Sequence, residues 1–430
     1  MTDAPLLSLA GFRRLFAARL LSQLADGIFQ ASLAGAVFFN PDHVTDPRQA
    51  AAGFLVLYLP YSFVSPFAGV LLDRWRRQRS MLACCLARVP LVALVAVLIV
   101  TVGTQGPESA WLYVAALAVL GVSRFFIAAA GAALPHVVDE KRLVSANALA
   151  GTSGTVAAFA AGILALVLRG LLPATTTTDA SLALGSAAAY LLASLVLMRF
   201  RADALGPDVA APGAGWRTEA TRVAREMVDG ARHVGAIPVA VRALGALTAY
   251  RLCMGSLTLD AVLLYRNEFG SIHGILPGGQ TGLAEMVGAS AVGILVSAFL
   301  TPRITRRIGK PAWVSALLIL AGIVVGGLGP TYRPLAFLLA GLVVGGVGQG
   351  VKICIDTLLQ EVVSDDYRGR AFTFYDALFN LAFAIGAVAV AFILPTSGRA
   401  IVVLEATAGL FVAAGLLYGR AERRSLVQAT

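Results

Sequence analysis

Apolar stretches, each about as long as a bilayer's hydrocarbon core is thick, follow one another along nearly the whole chain and restrict its fold more than any other feature. In hydrocarbon every backbone N–H and C=O must be satisfied internally, so uncharged runs of about 20 residues fold as transmembrane helices. Approximate spans fall at 12–39, 51–72, 80–104, 110–134, 145–170 and 180–199. A second set follows at 238–265, 281–301, 311–329, 334–356, 370–395 and 398–419. Only 13% of the 430 residues are charged, against about 25% in a soluble domain. The expectation is an all-α membrane protein of twelve transmembrane helices, with the lipid bilayer as its surroundings. The first apolar run is too long for a signal peptide and carries Asp26 midway, so it is expected to remain as the first helix.

A net charge of +10 raises nucleic acid as a partner, and the placement of the charge argues against it. With the N-terminus in the cytoplasm, nearly all basic residues outside the spans lie inside, including Arg13, Arg14, Arg74, Arg76, Arg77, Arg79, Arg199, Arg201, Arg217, Arg222, Arg225, Arg303, Arg306, Arg307, Arg368 and Arg370. Arg48, Arg169, Arg266, Arg333 and Arg399 fall on the opposite side. This positive-inside bias puts both termini in the cytoplasm. Cys84, Cys85, Cys253 and Cys354 lie within spans without zinc-ligand spacing, so neither a disulfide framework, a metal nor a cofactor is implied. The four histidines fall in loops or the linker and no nucleophile stands beside a base, so an enzyme is not expected.

The longest polar interval separates six spans from six, giving bundles at 1–200 and 238–430 and a cytoplasmic linker at 201–237. The linker opens with Gly206-Pro-Asp-Val-Ala-Ala-Pro-Gly213 and continues with Trp216, Ala220, Val223, Met227 and Val234 on one helical face. That pattern predicts an amphipathic helix on the inner leaflet, with a solvated tether as the alternative. The loop Leu134-Pro-His-Val-Val-Asp-Glu-Lys-Arg142 recurs in outline as Leu359-Gln-Glu-Val-Val-Ser-Asp-Asp-Tyr-Arg368, and Arg76-Arg77 recurs as Arg306-Arg307. A duplicated six-helix unit is a transporter architecture.

At Gly69-Val-Leu-Leu-Asp73-Arg74-Trp-Arg-Arg77 the chain resembles the signature of the major facilitator superfamily. Arg76 stands where that family usually has a second glycine. Asp365-Asp-Tyr-Arg368-Gly-Arg370 resembles the matching loop of the branch that contains siderophore and macrolide exporters. Gly151-Thr-Ser-Gly154 lacks the proline of the antiporter motif found in many drug exporters. The resemblance implies a cytoplasmic gate from Gly69, Asp73, Arg74, Arg77, Arg306, Arg307, Arg368 and Arg370. It also implies a central cavity lined by the first, fourth, seventh and tenth spans.

The charges inside spans follow that division. Arg19, Gln23, Asp26 and Gln30 form one polar stripe on the first span; Arg124 lies in the fourth, Arg251 in the seventh, Gln349 and Lys352 in the tenth. An ionised group at the centre of the hydrocarbon costs about 2.5–3.5 kcal/mol, so such residues are expected to face a water-filled cavity. Asp26 is the proton-coupling candidate; alternatively it is a permanent ion-pair partner of Arg124 or Arg251, which lie at comparable depth. Arg19 serves the cavity or the gate. Lys352 is expected to pair with Asp356 one turn on. Arg88 is expected to snorkel or pack on the signature loop, and Asp260, Glu285 and Glu405 to snorkel at outer span ends. Four cavity cations against Asp26 favour an anionic or zwitterionic substrate. The expected function is export of an amphipathic small molecule by alternating access in the bacterial plasma membrane, with a proton as a possible co-substrate and the protein a monomer. A lipid or lysophospholipid translocator and a non-transporting receptor are the alternatives.

Overall fold

The computed structural model describes residues 6–38, 46–48, 50–56, 58, 75–103, 107–139, 142–173, 175–201, 203–206, 216–269 and 278–429. Gly69, Asp73 and Arg74 lie outside them, as does most of the second expected span. All described elements are helical, as the apolar runs dictate. They are α1 (Ala10–Phe38), α2 (Arg77–Thr101), α3 (Ala110–Ala133), α4 (Leu143–Leu171), α5 (Thr176–Leu197), α6 (Trp216–Gly235), α7 (Pro238–Leu263), α8 (Gly279–Ile308), α9 (Lys310–Leu328), α10 (Pro334–Val362), α11 (Asp365–Ala391) and α12 (Ile401–Ala429). Thus α2 to α5 are the third to sixth spans, α6 is the linker helix, and α7 to α12 are the seventh to twelfth. Among the described residues ten helices are long and apolar enough to cross a membrane. Most of the second expected span lies outside those residues, and the polar stripe lowers the hydropathy of α1.

Prolines at the first positions of α7 and α10 start those helices without losing a hydrogen bond. Gly309, at φ 81°, lets α8 turn directly into α9 in a left-handed conformation that a side chain would strain. The Thr175 hydroxyl accepts the Thr178 N–H at 3.2 Å and caps α5. Thr175→Ala is therefore expected to lower stability by about 1 kcal/mol, read as a lower thermal midpoint of the purified protein; an unchanged midpoint would mean that this helix end is satisfied in another way.

The chain divides into two units, Met1–Asp42 with Leu59–Val223, and His43–Tyr58 with Ala224–Thr430. In the first, α1 packs on α4 and α5, and α2 on α3 and α5. In the second, α7 packs on α11 and α12, and α9 on α10 and α12. Pairings of equivalent spans thus recur in the two units. So does a close contact between helix backbones. A Cβ on Gly27 of α1 would stand 2.1 Å from the Ala158 carbonyl of α4, and one on Gly255 of α7 would stand 2.0 Å from the Phe383 carbonyl of α11. Backbones approach that closely only where a side chain is missing.

Residues Trp216–Gly235 form the helix α6, and its last two turns pack on protein. Gly230 packs on the backbone of Arg370, the His233 ring stacks on Tyr367 at 4.2 Å, and Val234 joins the apolar core of the second unit. The apolar face that suggested lipid is consumed by α11 at this end.

Candidate functional site

Helix α1 delivers Ser22 and Asp26 to one side, four residues apart, where α2, α3 and α5 converge. Asp26 Oδ1 accepts from Ser123 Oγ at 2.6 Å, from the Tyr190 hydroxyl at 2.7 Å and from Arg88 Nη1 at 3.2 Å. Arg88 also donates to Ser22 Oγ, Ser123 Oγ and the Cys84 carbonyl, and its guanidinium lies 4.0 Å from the centre of the Tyr190 ring. Arg88 is 0% and Asp26 3% exposed. Asp26 Oδ2 has no hydrogen-bond partner among the described residues. The network joins α1, α2, α3 and α5 of the first unit around one buried ion pair. Such a pair holds its geometry because either charge left alone would be stranded.

This corrects two expectations. The arginine paired with Asp26 is Arg88, not Arg124 or Arg251. Arg88 itself does not snorkel but is buried against Ser22, Asp26, Ser123 and Tyr190. It lies eleven residues into α2, about 16 Å of rise, which is too deep for its side chain to reach the nearer interface. Depth in the sequence was the available signal for Arg88; nothing in the sequence pointed to Ser123 or Tyr190.

The rest of the stripe faces elsewhere. Gln23 packs so closely on α4 that a Cβ on Gly154 would overlap its Oε1, and Arg19 Nη2 is 3.9 Å from the Cβ position of Gly151. Arg19 Nε donates to Gln23 Oε1 at 3.4 Å. Gln30 is half-buried, as is Arg124 beside Ser123 on α3. A second buried pair, Arg169 with Asp179, joins α4 to α5, while Ser32 Oγ of α1 donates to the Asp179 carbonyl at 2.6 Å. Arg169, expected in an outer loop, is 2% exposed.

The second unit gathers its polar groups on α11. Lys352 Nζ donates to Asp356 at 2.7 Å, the expected one-turn pair, and to the Tyr375 hydroxyl at 3.1 Å; that hydroxyl donates to Asp356 at 2.6 Å. Arg251 Nε donates to the Phe379 carbonyl at 2.9 Å. Its guanidinium stands 3.8 Å from the centre of the Phe379 ring and 4.7 Å from that of Phe383. Lys352 Nζ is 5.6 Å from the same Phe379 ring. Cations from α7 and α10 thus share one aromatic side chain, each gaining from the negative face of the ring. Gln349 is half-buried one turn before Lys352. The aromatic partners were missed because Tyr375 and Phe379 read as ordinary core at helical spacing.

Asp260 departs furthest from expectation. It is 0% exposed, and neither carboxyl oxygen has a hydrogen-bond partner among the described residues. Residues 259–263 of α7 are all buried, so the helix presents no outward face from which a side chain could snorkel.

Of the expected gate residues, Arg77 is the one whose side-chain contacts are defined within the first unit. Its Nη1 donates to the Ala132 carbonyl at 3.0 Å and lies 3.4 Å from His136 Nδ1, while its N–H donates to the Gly206 carbonyl. Arg306 and Arg307 are exposed in the last turn of α8, where cations favour the helix dipole. Arg370 lies over the Tyr367 ring; Arg368 lies in α11, and its side chain is outside the described set.

A family model described as Major Facilitator Superfamily matches residues 243–429. Uncharacterized MFS-type transporters of Mycobacterium tuberculosis and Mycobacterium bovis are each 33% identical over 97% of this chain and 92% of their own length. Among solved structures, the nucleoside transporter NupG superposes with a TM-score of 0.68 at 14% identity, over 95% of this chain and 98% of its own. A peptide transporter POT in complex with sulfate superposes with a TM-score of 0.71 at 13% identity, over 96% of this chain and 94% of its own. These structural likenesses speak for the fold.

Proposed function

We propose that this chain, which belongs to the major facilitator superfamily, exports an anionic or zwitterionic amphiphile across a bacterial plasma membrane by alternating access. The observation that supports this substrate class most is the seating of Arg251 and Lys352 on one Phe379 ring. Asp356 balances Lys352, so the Arg251 guanidinium and the clustered aromatic rings are what an anionic headgroup with an apolar body would meet there.

Asp26 takes the role of a fixed ion-pair partner in this reading, since three donors converge on one of its oxygens. The gate keeps the residues that the resemblance implies, Gly69, Asp73, Arg74, Arg77, Arg306, Arg307, Arg368 and Arg370, with both termini cytoplasmic. Liposomes holding the purified protein and an imposed pH gradient test the substrate class. Anionic carboxyfluorescein is expected to move and cationic ethidium to stay; movement of ethidium alone would overturn the reading. Transfer of a fluorescent lysophospholipid between leaflets, without carboxyfluorescein flux, would make the protein a lipid translocator instead.

A further inference from the structure

The buried Asp260 carboxyl has no part in the charge clusters described so far. Among the described residues it makes no ion pair and neither oxygen accepts a hydrogen bond. An ionised carboxylate removed from water without a partner is so costly that such a group takes up a proton instead. The Tyr332 hydroxyl, itself buried without a hydrogen-bond partner among the described residues, is within electrostatic reach of both Asp260 and Arg399. The Arg399 guanidinium lies 4.8 Å from the centre of the Tyr332 ring and pairs with Glu268 at 3.3 Å. Side-chain exposure rises to 32% at Glu268 and 54% at Arg399. Tyr332 is also the one non-glycine residue with positive φ among the described residues, at 48°, the kind of backbone outlier that collects at functional sites.

From its burial and its two unpartnered oxygens we propose that Asp260 is a proton-binding site of the second unit. A proton is the fitting ligand because a metal cation would need several more oxygens than the described residues place there. Other ionisable groups at this end of the unit include Asp46, Arg48, Tyr265, Arg266, Glu285, Arg333 and Glu405; none pairs with Asp260 among the described residues. The proposal deepens the transport reading by naming a co-substrate and the residue that carries it, and in that respect rests on it.

Infrared difference spectra of the purified protein at neutral pH test it without any substrate. The carbonyl band of a protonated carboxylic acid is expected, to be lost in Asp260→Asn, displaced in Asp260→Glu and retained in Asp26→Asn. Absence of such a band in the unaltered protein, or its survival unchanged in both Asp260 variants, would overturn the proposal. In liposomes Asp260→Asn is expected to abolish pH-gradient-driven movement of carboxyfluorescein and to keep its downhill exchange; undiminished dependence on the gradient would overturn the coupling role. Should the unaltered protein move no carboxyfluorescein, the substrate reading has failed, and the infrared band still decides whether Asp260 holds a proton.

Discussion

Asp26→Asn is expected to lower the stability of the protein by about 3–5 kcal/mol, the usual loss when one partner of a buried ion pair is removed. The amide keeps the shape of the carboxyl but leaves the Arg88 guanidinium at 0% exposure without its counter-charge. It also turns N–H donors toward Ser123 or Tyr190, which already donate to Asp26. Arg88→Met alone is expected to cost a similar amount, because it strands the carboxylate. The double variant Asp26→Asn, Arg88→Met strands neither charge and is expected to recover much of the loss, because the large cost of breaking a buried pair is the uncompensated charge left behind. Thermal midpoints of the four proteins form a double-mutant cycle, and a coupling of about 2 kcal/mol or more is expected for side chains in direct contact. An Asp26→Asn protein of unchanged stability that binds carboxyfluorescein and ignores the pH gradient would instead make Asp26 the titrating group.

Arg251→Met is expected to weaken carboxyfluorescein binding by about ten- to hundredfold, corresponding to the roughly 1.5–3 kcal/mol of a hydrogen bond to a charged group. Methionine fills much the same space beside Phe379 and Phe383, so stability is expected to change little. Arg251→Lys should fall between the two. It keeps the charge and loses the planar fork that both bonds the Phe379 carbonyl and stacks on its ring. Fluorescence anisotropy of the probe against each purified variant measures the effect. Equal affinity in all three proteins would remove Arg251 from the binding surface.

Much of the architecture followed from the residues alone. The apolar runs required helices across a bilayer, the recurring loops pointed to duplication, and the periodicity of residues 216–235 called for a separate helix. The Lys352–Asp356 pair was legible because both partners share one helix face, where spacing alone decides contact. The sequence also showed where charge is expensive, since depth along a span is a one-dimensional quantity. Which group offsets that expense was settled only by tertiary structure. Asp26 has an arginine in each of several spans as a possible partner, and its choice of Arg88 depends on how α1, α2, α3 and α5 are rotated about their own axes. That rotation is set by close contacts such as Gly27 on Ala158, which no periodicity encodes. Asp260 shows the same division from the other side. Its position near a span end suggested exposure, and burial of the whole last turn of α7 closed it off, because neighbouring helices surround that turn on every face.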